Sequence, residues 1–182
     1  MPKNIEVEIR SFISKNQYQK LLRFFRREGK FLDKEKQTTY YFSGPKDLRI
    51  QKTDNYSKIW LKDGKIHSKF RQDIEAKCRK EDFENLEEIL FSLGFKVQIK
   101  WFRIRSDFYW KGIKVSLDFT KGYGYIVELE KMAEKKEKEK TYELLIKRLK
   151  ELDIKITPKK EFDKKFNYYK NNWQKILNGT GK

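Results

Sequence analysis

From its first residues the chain alternates apolar and ionisable side chains: Ile5, Val7 and Ile9 fall on one parity, and Glu6, Glu8 and Arg10 on the other. A period of two marks a β-strand that packs one face and leaves the other polar. Similar short runs recur over residues 38–42, 47–52, 56–61, 67–77, 99–109, 113–119 and 125–131. Turn residues separate them at Ser43-Gly44-Pro45, Asp54-Asn55, Asp63-Gly64, Lys111-Gly112, and around Gly122 and Gly124. Glycine, proline and Asx residues at such points reverse the chain, so the runs read as an antiparallel sheet.

Helical segments punctuate the strands. Ser14 is placed to cap a helix carrying Leu21, Leu22, Phe24 and Phe25, with Gly29 at its end. Asp82 is placed to cap a second, whose stripe of Phe83, Leu86, Ile89, Leu90 and Leu93 stops at Gly94. A long charged helix is expected over 133–152 and a last amphipathic one over about 161–177. With 182 residues and no internal repeat, the chain reads as one domain, 1–182. Its last helix is expected as an appendage from about 158, after Ile156-Thr157-Pro158.

Composition excludes several chemistries. One cysteine, Cys78, and one histidine, His67, leave no disulfide framework, no histidine-built zinc site and no histidine triad. Any metal must be held by carboxylates. No apolar run is long enough to span a bilayer, so no membrane partner and a cytoplasmic location are expected. The net charge of +17 attracts polyanions. In Lys164–Lys175 basic and aromatic residues interleave, which makes nucleic acid a partner to consider, but a packing helix with a basic face is the simpler reading.

The polar faces of the strands are informative because so many of their residues are ionisable. Residues two apart on a strand face the same way about 7 Å apart, so Glu6 with Glu8 and Glu128 with Glu130 are same-face carboxylate pairs. Such pairs need solvent or a hard divalent cation between them. The Arg and Lys side chains of neighbouring strands, Arg49, Lys58, Lys62, Lys69, Arg71, Arg103, Arg105 and Lys114, would add a lining suited to phosphate oxygens. A plain sheet with one wet face and cross-strand ion pairs is the alternative. Against it stand the apolar opposite faces, which helices can cover, leaving the charges enclosed.

Several of these pieces carry a family resemblance. Glu6-Val7-Glu8-Ile9-Arg10 resembles the E-x-E-x-K signature of the CYTH superfamily of triphosphate tunnel metalloenzymes, named for class IV adenylyl cyclase and thiamine triphosphatase. Tyr41-Phe42, Leu48-Arg49-Ile50 and Trp60-Leu61-Lys62 follow in the family's order. Arg71-Gln72-Asp73-Ile74-Glu75 is similar to its R-x-E-x-E strand and Arg103-Ile104-Arg105 to its K-x-R strand. Val115-Ser116-Leu117-Asp118 and Gly122-Tyr123-Gly124, followed by Glu128-Leu129-Glu130, resemble its closing hairpin. The chain departs from the pattern at Arg10 (for Lys), Thr39 (for Asp), Gln51 (for Arg) and Asp73 (for Glu).

The resemblance implies an α+β fold, a closed eight-stranded antiparallel β-barrel wrapped by helices. It implies a triphosphate substrate bound by Arg10, Arg49, Lys62, Arg71, Arg103 and Arg105, and Mg²⁺ or Mn²⁺ held by Glu6, Glu8, Glu128 and Glu130, with Asp118, Glu75 and Asp73 as further ligands. Arg10, Glu8 and Glu130 would then be catalytic. Hydrolysis of inorganic triphosphate, or of a nucleoside or thiamine triphosphate, is the expected reaction. Cyclisation of ATP to cyclic AMP is the runner-up, and a non-catalytic module binding polyphosphate or nucleic acid the third reading. A monomer or homodimer is expected.

Overall fold

The computed structural model describes residues 5–63 and 72–179. The elements are β1 (Ile5–Ile13), α1 (Lys15–Glu28), β2 (Lys30–Phe42), β3 (Asp47–Lys52), β4 (Tyr56–Asp63), β5 (Gln72–Arg79), α2 (Phe83–Ser92), β6 (Val97–Trp110), β7 (Ile113–Thr120), β8 (Gly124–Ala133), α3 (Lys138–Glu151) and α4 (Lys159–Leu177). The strands form one eight-stranded antiparallel sheet in the order β1-β8-β7-β6-β2-β3-β4-β5. His67 and Arg71 lie outside the described residues. Among the described residues no helix is long and apolar enough to cross a membrane.

The α+β class and the eight antiparallel strands are as expected. Closure is where the structure differs: among the described residues the strand order is linear, with β1 and β5 at its ends. A closed ring needs the outer edges of the end strands to bond to each other. The outer edge of β1 is used locally instead. Phe12 N–H donates to Thr157 Oγ1 at 3.0 Å, and Thr157 N–H donates to Ser11 Oγ at 2.9 Å. The segment after α3 thus takes up the Phe12 N–H and the Ser11 hydroxyl near the end of β1.

Other differences have local reasons. β2 begins at Lys30 rather than near 38 because Lys30–Lys34 are exposed, so no buried face writes an alternation into that stretch. α3 starts at Lys138, later than expected, because β8 runs on to Ala133, which pairs with Ile5. Asp82 stands at the start of α2 without capping it; its carboxylate accepts from Arg79 N–H at 3.0 Å and from the Arg79 guanidinium. Ser14 does cap α1, in a reciprocal box with Gln17: Gln17 N–H donates to Ser14 Oγ at 3.2 Å and Ser14 N–H to Gln17 Oε1 at 2.9 Å. Lys111 and Gly112, both at positive φ (48° and 78°), make the tight β6–β7 reversal.

The chain resolves into two compact units. The first comprises Met1–Lys34, Arg105–Phe119 and Gly124–Asp163; the second comprises Glu35–Ile104, Thr120–Tyr123 and Lys164–Lys182. In the first, α1 and α3 lie on the apolar side of β1, β8 and β7, where Val7, Ile9, Phe25, Val115, Leu117, Val127, Leu129, Leu145 and Leu149 form a continuous core. Phe25 is fully buried, its ring 5.6 Å from those of Phe108 and Trp110. Burying such a ring is worth roughly 1.5–3 kcal/mol. With odd-numbered side chains of β1 committed to this core, Glu6, Glu8 and Arg10 must project from the other face.

In the second unit α2 covers β3 and β4, and Phe42, Ile50, Phe83 and Leu90 make the core. A separate aromatic cluster joins Trp101 to Tyr123 (4.5 Å) and to Tyr169 of α4 (5.0 Å), and the Tyr169 hydroxyl donates to the Lys100 carbonyl at 2.9 Å. Gly122 sits against this helix at φ +75°, where an added Cβ would fall 2.1 Å from Ile176 Cγ2. Gly94, at φ +83°, has nothing within 4 Å of such a Cβ. Gly122→Ala is therefore expected to lower the melting temperature clearly more than Gly94→Ala, which carries backbone strain of about 1 kcal/mol alone. Equal shifts in thermal denaturation would refute the packing of α4 against that turn.

Candidate functional site

The register of β1 on β8 sets the first part of the site. Glu8 lies directly opposite Glu130, Arg10 opposite Glu128, and Glu6 opposite Met132. Opposed residues share a face with Cβ atoms about 5 Å apart, so the two carboxylate pairs, far apart in sequence, come together on one face. The Arg10 guanidinium is 4.0 Å from Glu8 Oε1 and the Lys114 ammonium 3.7 Å from Glu130 Oε2. The Arg10 guanidinium also lies over the Phe162 ring, 5.3 Å from its centre, and Phe162 stacks on Phe12 at 4.4 Å.

Arg105 of β6 organises the adjoining strands. Its Nε and Nη2 donate to the two oxygens of Asp118 on β7 at 2.8 and 2.7 Å, and Nη2 also donates to Glu128 Oε1 on β8 at 3.0 Å. Burial opposes the charge on this guanidinium, yet Asp118 and Glu128 outweigh it and hold Arg105 firmly protonated. The carboxyl of Glu130 is pushed up, first by burial and then by neighbouring Glu128 and Asp107, with Lys114 and Arg105 pulling the other way.

Asp107 belongs to this set and escaped the sequence reading. It stands two residues beyond Arg105 on β6, so the alternation through Arg103 and Arg105 would have pointed to it. Its Oδ2 is 3.4 Å from Lys114 Nζ, while its Oδ1 is buried and makes no hydrogen bond. Lys114, on the same face of β7 as Asp118, thus sits between carboxylates of β6 and β8.

The remaining candidates lie in the second unit. Arg49 is gripped by both oxygens of Asp47, with Nε at 2.7 Å, and its guanidinium stacks over Tyr41 at 4.1 Å and Trp60 at 5.7 Å. Any phosphate there would compete with a bidentate carboxylate. Arg103 Nε donates to Gln37 Oε1 at 2.8 Å. Gln51 donates to Thr39 Oγ1 at 2.9 Å, so two of the departures from the family pattern hydrogen-bond each other. Glu75 accepts from Lys58 Nζ at 2.6 Å. Lys62 and Asp73 are cross-strand partners in the β4–β5 ladder.

A family model described as the CYTH domain matches residues 4–163. The chain belongs to the CYTH domain family. A Methanocaldococcus jannaschii protein, provisionally named an adenylate cyclase, is 34% identical over 162 residues, which cover 82% of this CYTH chain and 90% of the relative. Among solved structures, a conserved hypothetical protein of Pyrococcus furiosus superposes with a TM-score of 0.71 at 26% identity, covering 82% of this chain and 91% of its own. A Vibrio parahaemolyticus protein, again provisionally named an adenylate cyclase, has a TM-score of 0.66 at 15% identity over 86% of this chain and 96% of its own, a likeness of fold.

The donor set of this CYTH protein fits a hard divalent ion in its chemistry, since the opposed groups are carboxylate oxygens. Among the described residues no group of three or more His, Cys, Asp or Glu is gathered for a metal. Mg²⁺ characteristically takes one or two carboxylates and completes its shell with water and phosphate oxygens, and Glu8 and Glu130 are the residues that would hold it. Arg105 carries the opposite, structural load. Arg105→Ala strands two buried carboxylates and is expected to cost about 3–5 kcal/mol, measured by chemical denaturation, with Arg105→Lys recovering part of it. A loss below about 1 kcal/mol, the range of exposed ion pairs, would mean that the cluster is solvated.

Proposed function

We propose that this CYTH protein is a divalent-metal-dependent enzyme acting on a triphosphate, with hydrolysis as its reaction. The observation that carries the reading is the Glu8–Glu130 opposition flanked by Arg10 opposite Glu128. It sets two hard oxygen donors beside a guanidinium on one sheet face. Glu8 and Glu130 would hold Mg²⁺ or Mn²⁺, with Glu6 and Glu128 alongside. Such an ion, when bound, polarises a phosphoryl oxygen and offsets the charge that builds up during transfer.

The chain's own residues define the rest. Arg10 supplies positive charge toward phosphate and cannot act as a base, because guanidinium stays protonated; its work is charge neutralisation and orientation. Asp118 keeps Arg105 aimed at Glu128 and so fixes where β8's carboxylates stand. We assign Arg49, Lys62, Arg71 and Arg103 to phosphate contacts, as the resemblance implies. In hydrolysis a water oxygen bonds to the terminal phosphorus, the bridging oxygen leaves, and the water's proton passes to solvent.

A second reading has its own support, the names of the relatives. In that case the ribose 3′-hydroxyl oxygen bonds to the α-phosphorus of ATP, its proton passes to solvent, and pyrophosphate leaves, giving cyclic AMP. Incubation with tripolyphosphate, ATP and thiamine triphosphate under Mg²⁺ or Mn²⁺, with product identification, separates the two. Orthophosphate release supports hydrolysis and cyclic AMP supports cyclisation. No product from any substrate would overturn both and leave a binding module.

Two variant sets test the residues. Glu8→Gln and Glu130→Gln keep shape but lose charge, so turnover at limiting metal is expected to fall by at least about a hundredfold; wild-type rates in both would remove the metal role. Arg103→Ala is expected to weaken tripolyphosphate binding about tenfold or more in calorimetry, since it deletes a charge-assisted contact worth about 1.5–3 kcal/mol. Unchanged affinity with an intact circular dichroism spectrum would remove Arg103 from the site.

A further inference from the structure

Arg10 meets an aromatic stack as well as the carboxylates of its own strand face. Its guanidinium lies over the Phe162 ring, 5.3 Å from the centre, and that ring stacks on Phe12 with centroids 4.4 Å apart and planes 27° from parallel. Phe12 has the parity of Glu6, Glu8 and Arg10, so it stands on the same side of β1. The contact of Arg10 with Glu8 Oε1, at 4.0 Å, is at the outer limit of an ion pair and does not set the plane of a guanidinium.

We propose that Phe162 is a positioning residue for Arg10: its ring, backed by Phe12, holds the guanidinium ready to meet a phosphate group. The proposal rests on the triphosphate reading above and adds a residue that reading does not use.

Three observations carry it. The ring is itself fixed. Phe162 is only 4% exposed and lies in the first turn of α4, and the chain just before it is tied to β1 on both sides of Thr157, by Phe12 N–H donating to Thr157 Oγ1 and Thr157 N–H donating to Ser11 Oγ. The Arg10 side chain, in contrast, keeps 30% of its surface exposed, so one side is packed and the rest is open to a ligand.

The third observation is the manner of holding. Arg105 and Arg49 are held by carboxylates through their own N–H groups. A ring instead attracts the flat face of a guanidinium through its quadrupole, and the N–H donors point outward in the guanidinium plane, where phosphate oxygens can accept from them. Stacking therefore orients Arg10 without spending the donors that phosphate needs. Ordering a long side chain in advance also removes part of the entropy cost otherwise met on binding.

The test is a double-mutant cycle of Phe162→Leu with Arg10→Gln in the full chain. It is read as kcat/KM for tripolyphosphate under Mg²⁺ and as tripolyphosphate affinity by calorimetry, which needs no turnover. Phe162→Leu keeps an apolar side chain in the packing but has no ring face, and Arg10→Gln loses the charge that both ring and phosphate use. Phe162→Leu alone is expected to lower either quantity about tenfold, equivalent to about 1.4 kcal/mol and within the span of cation–π contacts. Alongside Arg10→Gln it should change them by less than about twofold. Phe162→Tyr, which keeps the ring, should stay within about threefold of wild type. Melting temperature is expected to fall equally with and without Arg10→Gln, which separates packing from positioning.

A readout without substrate is the Arg10 Nε–H signal in proton–nitrogen NMR spectra, identified by its loss in Arg10→Gln. Ring shielding should place it upfield in wild type and Phe162→Tyr, and Phe162→Leu should move it downfield. Phe162→Met takes the place of Phe162→Leu if the latter does not fold. An equal loss in both Arg10 backgrounds, or no loss in either, overturns the proposal and leaves the triphosphate reading standing. A wild type that neither binds nor turns over tripolyphosphate overturns that reading and this proposal with it.

Discussion

Arg105 holds two buried carboxylates from two neighbouring strands, Asp118 through a bidentate pair and Glu128 through a single bond. That cluster is what the charged face of the first unit depends on. A guanidinium with fixed fork geometry sets the spacing of β6, β7 and β8 on the polar side, as the apolar core beneath α1 and α3 sets it on the other. Buried ion clusters are seldom strongly stabilising overall, but breaking one is costly. The arrangement therefore specifies position more than it supplies stability, which suits a surface that must keep several like charges in place.

The cluster also divides the carboxylates by role. Asp118 and Glu128 are committed to Arg105, whereas Glu130 and Asp107 share a more distant ammonium. Glu130 has its carboxyl raised by burial, a sign that its charge is not fully compensated. Perturbed carboxylates of this kind gather at functional sites. The groups that shift Glu130 are its burial and its neighbours Lys114, Glu128, Arg105 and Asp107, while Glu8 faces it across the β1–β8 ladder.

Much of the local structure was legible in the chain. The two-residue period identified the strand cores, Ser14 marked the start of α1, and Lys111-Gly112 marked a reversal. Legibility failed where burial did not write a pattern. The exposed half of β2 alternates nothing, and the end of β8 looks helical in sequence because Ala133 is a good helix former that happens to pair with Ile5. Asp82 has the identity of an N-cap but spends its carboxylate on Arg79, a competition that residue type cannot reveal.

The sequence by itself determined which residues share a face, because side-chain direction in a strand follows parity, a local property of the backbone. It therefore put Glu6 with Glu8 and Arg10, and Glu128 with Glu130. Tertiary structure decided register and neighbours: that Glu8 lies opposite Glu130, that Lys114 is near both Asp107 and Glu130, and that Thr157 bonds to Ser11 and Phe12 near the end of β1. These are contacts between segments far apart in the chain. Parity is indifferent to a shift of two residues along a partner, and the shift is fixed by turns, core packing and edge hydrogen bonds acting together.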